Sequence, residues 1–270
     1  WVDPPVELLT DYIATAMQLL KNVGIACEGV TSPGAFGKGK ETAYAQAVLD
    51  AALRVNNNPR PFYFLWAKDD ELPDVPIWHT DVAKGIAIVS IVGCTGDWFG
   101  ATGYDVSNPD LFITADLQGG RLPAVLAKER PCVLLGHWPC FYANEQVGFK
   151  VLKEVKRRLD AYDPNRTKTL WMKNSEIAHY WMARELSELG VEEDASGKEC
   201  TIGITTRFPT DNFTLAIHDW AAVRVQVNGT DLPQVKSRRD FRSGVFLVED
   251  RDTFVAFKLA TGDTTLMVSR

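Results

Sequence analysis

The sequence predicts an α/β fold, namely a distorted or incomplete parallel (β/α) barrel followed by a small all-β sandwich. Up to about residue 190, short apolar runs rich in β-branched residues alternate with amphipathic helical stretches. This alternation predicts parallel strands joined by right-handed crossover helices. Beyond Gly190, short β-rich runs separated by turn residues replace the helical periodicity, as is typical of a sandwich. We therefore expect a barrel domain at residues 1–190 and a β-sandwich at residues 198–270.

The first predicted helix follows Asp3-Pro4-Pro5, carries an apolar stripe over residues 6–20 and ends at Gly24. The next elements are a strand at 25–30, a helix at 41–55 and a strand at 61–67. Further strands are expected at 86–93, 111–115, 132–135 and 169–172, with helices at 145–162 and 175–189. Residues 191–198 are acidic and contain Gly and Ser, which indicates a linker. Beyond it, Asn228-Gly229 lies between two β-rich runs and indicates a hairpin.

Composition and charge exclude several classes of function. The 270 residues are 46% hydrophobic and 24% charged, which is typical of a globular protein. The net charge of −6 argues against nucleic acid or an anionic membrane as the main partner. No apolar run approaches the roughly 18 residues that a transmembrane segment needs. The five cysteines lack CxxC spacing, so neither a zinc knuckle nor a disulfide framework is predicted. Oligomeric state and compartment stay open.

His137 is the residue that most strongly suggests chemistry. It follows the predicted strand at 132–135, because a short apolar run ended by Gly136 is typical of a strand covered on both faces. Barrels and open α/β sheets place their chemistry just past the carboxyl ends of such strands. Imidazole can give and take a proton near neutral pH, which suits an acid or a base. The alternative is a histidine that caps the strand and binds a loop.

Four stretches, read in order, resemble a known family. They are the loop at 29–37, Gly96-Asp97-Trp98-Phe99-Gly100, Leu134-Leu135-Gly136-His137-Trp138 and the run at 170–184. Together, over roughly residues 6–190, they resemble the later part of a polysaccharide deacetylase (carbohydrate esterase family 4, NodB homology) domain, as found in long bacterial members with an extra β-domain. The resemblance implies a hydrolase that removes N- or O-acetyl groups from a polysaccharide or glycan. It also implies a divalent metal, zinc, that activates water, and a histidine that acts as general acid.

The resemblance assigns roles to particular residues. The third family motif falls on Thr31-Ser32-Pro33, where Thr31 replaces the family's arginine. The fourth falls on Asp97 and Trp98, which would line the acetyl pocket. The fifth falls on Leu135-Gly136-His137, so His137 would give a proton to the leaving amine or alcohol. Asp97 is the candidate for orienting that imidazole.

A further set of residues is expected to contact the sugar substrate. Aromatic rings can stack on sugar rings, although tryptophan is also an ordinary large core residue. Asp116 lies where it could bind a substrate hydroxyl, but it could equally cap a helix at 117–128. The candidates for substrate binding are Pro33, Gly34, Trp98, Trp138 and Asp116.

The metal ligands of the family are not visible in this sequence. The first two family motifs supply a base aspartate, a ligand aspartate and two ligand histidines, and all of them precede the helix that begins here near Asp3. The other histidines, at positions 79, 179 and 218, lack ligand spacing. Since the chain begins at Trp1 and not at Met, one expectation is a chain whose first strands are absent. The other is a natural form that has lost the chemistry and binds sugar.

Two alternatives to the deacetylase remain open. One is a non-catalytic carbohydrate-binding protein on a degenerate barrel. The other is a glycosidase-type barrel, which needs two carboxylates across a cleft, with Asp97 and Asp116 as its candidate pair. The sequence has no Gly-x-Ser-x-Gly motif, which argues against an α/β-hydrolase esterase. Gly37-Lys38-Gly39-Lys40 has too few glycines for a P-loop.

Overall fold

The structure of the chain is a computed structural model that describes residues 4–32, 36, 39–66, 75–93 and 108–270. The chain divides into two compact units. The first consists of Trp1–Trp78 and Ile88–Trp171, and the second of His79–Ala87 and Met172–Arg270.

Helices and a four-stranded sheet make up the first part of the chain. In chain order the elements are α1 (Val6–Asn22), β1 (Gly29–Thr31), α2 (Glu41–Asn56), β2 (Phe62–Trp66), β3 (Ile77–Asp81), β4 (Ile86–Gly93), α3 (Arg121–Leu126) and α4 (Trp138–Tyr162). The sheet has the strand order β1-β2-β4-β3. Strand β2 is parallel to both β1 and β4. The fully buried Tyr63, Ile88 and Ile91 place the centre of this sheet in a hydrophobic core.

Helix α1 packs on α2 through a narrow apolar face. Ile13 and Met17 of α1 are buried, as are Ala45, Val48 and Ala52 of α2. Small alanine side chains let the two helices approach closely, which favours the long contact between them.

A second hydrophobic cluster joins the segment at 109–113 to α4. Phe112 and Ile113 are completely buried against the α4 residues Val151 and Val155. The buried guanidinium of Arg158 binds this segment to the helix, since its Nη1 donates to the carbonyl oxygen of Ile113 at 2.8 Å. The same side chain forms ion pairs with Asp110 and Glu154.

The prediction of a parallel (β/α) barrel is wrong. None of the sheets in the described residues is closed, and across the three sheets the pairing is mostly antiparallel or mixed. Three predicted strands are missing. Pro109–Leu111 forms a 3₁₀ turn that leads into further turns, residues 132–135 are extended with only an isolated bridge at Leu135, and residues 169–172 are irregular. A barrel needs a continuous ring of hydrogen-bonded strands, and these gaps prevent closure.

The second unit consists largely of β-structure that follows one helix. The elements are α5 (Asn174–Leu186), β5 (Glu188–Glu193), β6 (Glu199–Thr206), β7 (Thr210–Ile217), β8 (Arg224–Val227), β9 (Thr230–Asp231), β10 (Gln234–Val235), β11 (Val245–Glu249), β12 (Asp252–Leu259) and β13 (Gly262–Ser269). Its sheets have the orders β10-β11-β12-β7 and β5-β6-β13-β8-β9. Alternate residues of β6 are buried, as expected for a strand with one face on a core. Helix α5 packs on β7, where the rings of Tyr180 and Phe213 are 6.3 Å apart.

The predicted linker at 191–198 is instead the end of β5 and the turn into β6. Asp194 closes this turn, because its carboxylate accepts hydrogen bonds from the backbone N–H groups of Lys198 and Glu199. No helix within the described ranges has the length and hydrophobicity needed to cross a bilayer.

Candidate functional site

The parallel strands bring their carboxyl ends to one edge of the first sheet. Thr31 at the end of β1 pairs with Phe64, and Trp66 at the end of β2 pairs with Gly93 at the end of β4. Loops that leave parallel strands at such an edge are the usual location of ligand sites in α/β sheets. The chain leaves this edge after Thr31 and after Gly93, and Pro33, Asp97 and Trp98 of the third and fourth motifs follow in sequence but lie outside the described residues.

The segment that leads to His137 lies beside the same edge. A methyl group placed on Gly93 would lie 3.1 Å from Cδ1 of Leu135, so Leu135 is next to the last residue of β4. His137 is two residues further along the chain, which is at most about 7 Å of extended backbone. The strand predicted at 132–135 is absent, so the expectation that His137 follows the carboxyl end of a strand in a catalytic cleft stays a prediction, supported by the position of Leu135 beside the end of β4.

His137 occupies the N-cap position of α4, with φ −100° and ψ 142°. Its carbonyl oxygen accepts a hydrogen bond from the backbone N–H of Cys140 at 2.9 Å. Its imidazole makes no capping hydrogen bond to the helix, and the residue is exposed to solvent. Pro139 in the first turn supplies the backbone angle that a helix start favours. Helix capping therefore does not account for a histidine at this position.

A sharp irregularity in α4 sets the direction of its first turn. Gln146, within α4, has φ +64°, an angle that lies outside regular helix geometry and that a non-glycine residue rarely adopts. Close behind it, Gly148 packs against the backbone of Cys140 and Phe141. The ring of Phe149 lies 5.1 Å from that of Phe141. The first turn, with His137 at its start, is thus folded back onto the rest of the helix.

Gly148 is expected to be needed for this arrangement. A Cβ at position 148 would overlap the carbonyl oxygen of Cys140 and would lie 2.8 Å from Cα of Phe141. Because both obstacles are backbone atoms, we expect Gly148→Ala to lower the free energy of unfolding by about 1–3 kcal/mol. Urea denaturation measures the effect. Gly190→Ala is the matched control, since no atom lies within 4 Å of the Cβ it would add. An equal loss in both variants would contradict the close approach at Gly148.

Ser32, in the third motif, stabilises the loop that leaves β1. It is buried, and its backbone N–H donates to the carbonyl oxygen of Phe64 at 2.9 Å, which extends the pairing of β1 with β2. Its hydroxyl donates to the carbonyl oxygen of Phe36. Both the backbone and the hydroxyl of Ser32 therefore stabilise the loop, whereas Thr31 is exposed at the edge.

Asp116 closes a turn between residues 114 and 119. Its carboxylate accepts hydrogen bonds from the hydroxyl of Thr114 at 2.5 Å and from the backbone N–H of Gln118 at 3.1 Å. The hydrogen bond from Thr114, followed by that from Gln118, lowers the pKa of Asp116. Since α3 begins only at Arg121, Asp116 does not cap a helix. Its side chain is exposed, so the predicted contact with substrate stays a prediction.

Several predicted site residues lie outside the described residues. They are Pro33, Gly34, Asp97 and Trp98. The backbone of Trp138 is the first residue of α4, but its side chain is likewise outside the description. The pairing of Asp97 with His137, the acetyl pocket around Trp98 and the pairing of Asp97 with Asp116 therefore stay predictions.

The residues that the structure describes do not fit the zinc site that the family resemblance implies. Among them, no group of three or more His, Cys, Asp or Glu side chains is arranged to hold a metal ion. The histidines other than His137 are on separate elements: His79 on β3, His179 on α5 and His218 just after β7. No reaction step through a metal is therefore assigned to these residues.

The irregularity in α4 is the part of the site that sequence reasoning missed. The only local signal for it is Gly148, an isolated glycine in a helical pattern, which often has a packing reason. Gln146 gives no such signal, because nothing in its type favours a positive φ. The sequence therefore did not indicate how the helix turn that begins at His137 is held.

Comparisons with known proteins leave the family of this chain open. No family model matches the sequence, and no curated protein matches it. Among solved structures, the chain is similar to the crystal structure of CelM2, a bifunctional glucanase-xylanase protein from a metagenome library. The two sequences are 9% identical, with a TM-score of 0.20, over 99% of this chain and 60% of that chain. This chain thus spans about 60% of that protein. A likeness at this level shows neither the fold nor the activity of this chain.

Proposed function

We propose that this chain acts on acetylated carbohydrate as a hydrolase of the deacetylase type, with His137 as the group that gives a proton to the leaving amine or alcohol. One observation supports the proposal: His137 is exposed, its side chain does not cap α4, and it follows by two residues Leu135, which lies beside the last residue of β4. The chain leaves that edge after β1 and after β4, and the other two matched motifs follow these strands in sequence.

The chemistry requires a proton donor at this place. When water has added to an acetyl carbonyl, the nitrogen or oxygen of the sugar is expelled and must be protonated as the bond breaks. A positioned imidazole can supply that proton, and such general acid catalysis is worth about 10²–10⁴ in rate. In this proposal the chain contacts the sugar and donates the proton to the leaving group. The group that activates the water is not assigned to any described residue.

A second function is favoured by one observation. Because no described set of donors fits a metal ion, the same edge could bind acetylated sugar without hydrolysing it. In this second function the chain binds the same class of substrate but does not hydrolyse it. Measurements of binding and of product separate the two functions.

The test uses an N-acetylated chito-oligosaccharide and an O-acetylated xylo-oligosaccharide, each with its deacetylated form as control. Acetate release is measured without added metal and with zinc, cobalt or manganese, and binding is measured by calorimetry. We expect acetate to be released with turnover and the acetylated forms to bind more tightly than the deacetylated ones. Binding without acetate release would establish the binding function instead. If neither sugar binds and no acetate forms, both functions are wrong.

A further inference from the structure

Helix α1 has a second apolar face that the described residues of the chain leave exposed. Leu8, Tyr12, Leu19 and Val23 are 58%, 77%, 64% and 72% exposed. Val23 directly follows the last residue of α1. At 100° per residue the four positions lie within about 60° of the helix circumference. The stripe they form, the α1 outer stripe, is on the opposite side from the face that packs on α2.

Such a stripe is unusual on a helix that has already buried one face. A surface helix normally presents polar side chains to water on the side away from the core. Contiguous exposed apolar side chains mark an interaction surface more often than isolated ones do. The flank of the stripe carries the acidic Glu7 and Asp11, and Asp11 is paired with Arg54 at 2.6 Å. An acidic flank disfavours an anionic membrane, because helices that lie on such surfaces carry Lys and Arg there.

The spacing of the α1 outer stripe is symmetric about its midpoint. Leu8 and Val23 are equally far from the point between Thr15 and Ala16, and so are Tyr12 and Leu19. If a second α1 lies antiparallel across this point, Leu8 therefore meets Val23 of the other copy. Tyr12 likewise meets Leu19 of the other copy. Each exposed apolar side chain thus finds an apolar partner, as an isologous two-fold contact requires.

The charges on α1 also favour an antiparallel pair of helices. Glu7 and Asp11 are both in the first half of α1, and the second half has the basic Lys21 and no acidic residue. In a parallel pair the carboxylates of the two copies would be at the same level and would repel. In an antiparallel pair around the same point Asp11 is level with Leu20 of the other copy, within two residues of Gln18 and Asn22, whose amide groups can donate to it. Opposed helix dipoles also favour this orientation.

We propose that the α1 outer stripe is a homodimer interface, in which two copies of the chain pack α1 against α1 in antiparallel orientation around a two-fold axis between Thr15 and Ala16. The interface buries only part of one helix on each copy, so the dimer is weak and depends on protein concentration. The proposal is independent of the function proposed for the edge near His137.

Sedimentation equilibrium of the whole chain over a range from about 1 to several hundred μM tests the proposal. We expect a reversible monomer–dimer equilibrium that Leu19→Glu weakens at least tenfold, because a carboxylate would be buried against Tyr12 of the other copy. Val223→Glu is the control, since Val223 is 74% exposed in the second unit and lies outside the stripe. Circular dichroism confirms that both variants fold. A monomer at every concentration, or an equal effect of both variants, overturns the proposal.

Cysteine cross-linking tests the orientation and leaves the central Tyr12–Leu19 contacts intact. Proteins with Leu8→Cys and with Val23→Cys are oxidised separately and as a mixture, with the unchanged chain as the baseline for its own five cysteines. We expect the mixture to give a cross-linked dimer several-fold above the level of either variant alone. Cross-linking of each variant with itself would show a parallel pair and would overturn the antiparallel interface. No cross-link above the baseline would exclude contact through this stripe.

Discussion

Replacement of Asp163 by Ala is expected to lower the free energy of unfolding by about 2–4 kcal/mol. The Asp163 side chain is buried just after the end of α4. Its carboxylate accepts hydrogen bonds from the backbone N–H groups of Thr167, Lys168 and Thr169 at 2.7, 2.9 and 2.8 Å. The hydroxyl of Thr169 adds another at 2.8 Å. The change leaves several donors without their acceptor, and this segment leads into the second unit.

The same carboxylate makes stability depend on pH. Burial raises the pKa of Asp163, but the hydrogen bonds from Lys168, Thr167 and Thr169 outweigh burial and leave the pKa below its ordinary value. A carboxyl whose pKa is lower in the folded state stabilises the fold above its unfolded pKa, which is about 3.9. This stabilisation is lost as the pH falls through the lowered folded-state value. Urea midpoints between pH 7 and pH 2.5 should therefore fall less steeply for Asp163→Ala than for the unchanged protein.

The control for this prediction is Asp160→Ala, one turn earlier on α4. Asp160 is half-exposed and pairs with Lys156 within the same helix. Exposed pairs of this kind contribute at most about 0.5 kcal/mol, so the substitution should change stability little. Equal losses from the two substitutions would show that the hydrogen bonds to Asp163 contribute no more than an exposed ion pair.

The sequence predicted the strands whose pattern and length agree with a buried sheet. The strand expected at 86–93 is β4, and the strand expected at 61–67 contains β2. Both are β-branched or aromatic runs of five residues or more. Because they are buried, their backbone N–H and C=O groups need hydrogen-bond partners within the protein, and pairing in a sheet supplies them.

The error in the predicted fold came from short apolar runs that were interpreted as strands. Phe112 and Ile113 are completely buried, as an apolar run predicts, but they are in turns that pack on α4. Near position 169, the backbone and hydroxyl of Thr169 bind the carboxylate of Asp163 and not a neighbouring strand. Apolar content thus predicted burial at Phe112 and Ile113 but not in the run at 169–172, where Leu170 and Trp171 are 76% and 68% exposed. In both runs the hydrogen-bond partner depended on residues distant in sequence or on a local side chain. A short run cannot distinguish these outcomes.

The candidate site, like the fold, was predicted from the sequence only in part. The alternation of helix and strand predicted the parallel pairing of β1, β2 and β4, whose carboxyl ends share one edge, but it also predicted a strand before His137 that is absent. The backbone reversal at Gln146 has a positive φ without a glycine, so no residue preference indicates it. The direction of the turn that carries His137 therefore required the structure.

Replacement of His137 by Ala is expected to slow acetate release by about 10²–10⁴-fold, on the proposed function, with little change in KM. The imidazole would act only as the bond to the leaving group breaks, so its loss should lower kcat and kcat/KM together. Stability should change by less than about 0.5 kcal/mol, because the residue is exposed and its side chain does not cap α4. Steady-state kinetics and urea denaturation of the same preparations measure both effects.

His218→Ala is the matched control for the His137 substitution. His218 is also an exposed histidine, and its Nδ1 is 2.9 Å from Oδ2 of Asp252 in the second unit. Because an exposed side-chain contact of this kind contributes little to stability, this variant should retain both turnover and stability. If His137→Ala releases acetate as fast as the unchanged protein, His137 is not the acid. If His137→Ala unfolds at a clearly lower urea concentration while turnover per folded molecule is retained, the imidazole has a structural role at the start of α4. A loss of turnover at unchanged stability, absent in His218→Ala, would be the result that a proton donor at this edge requires.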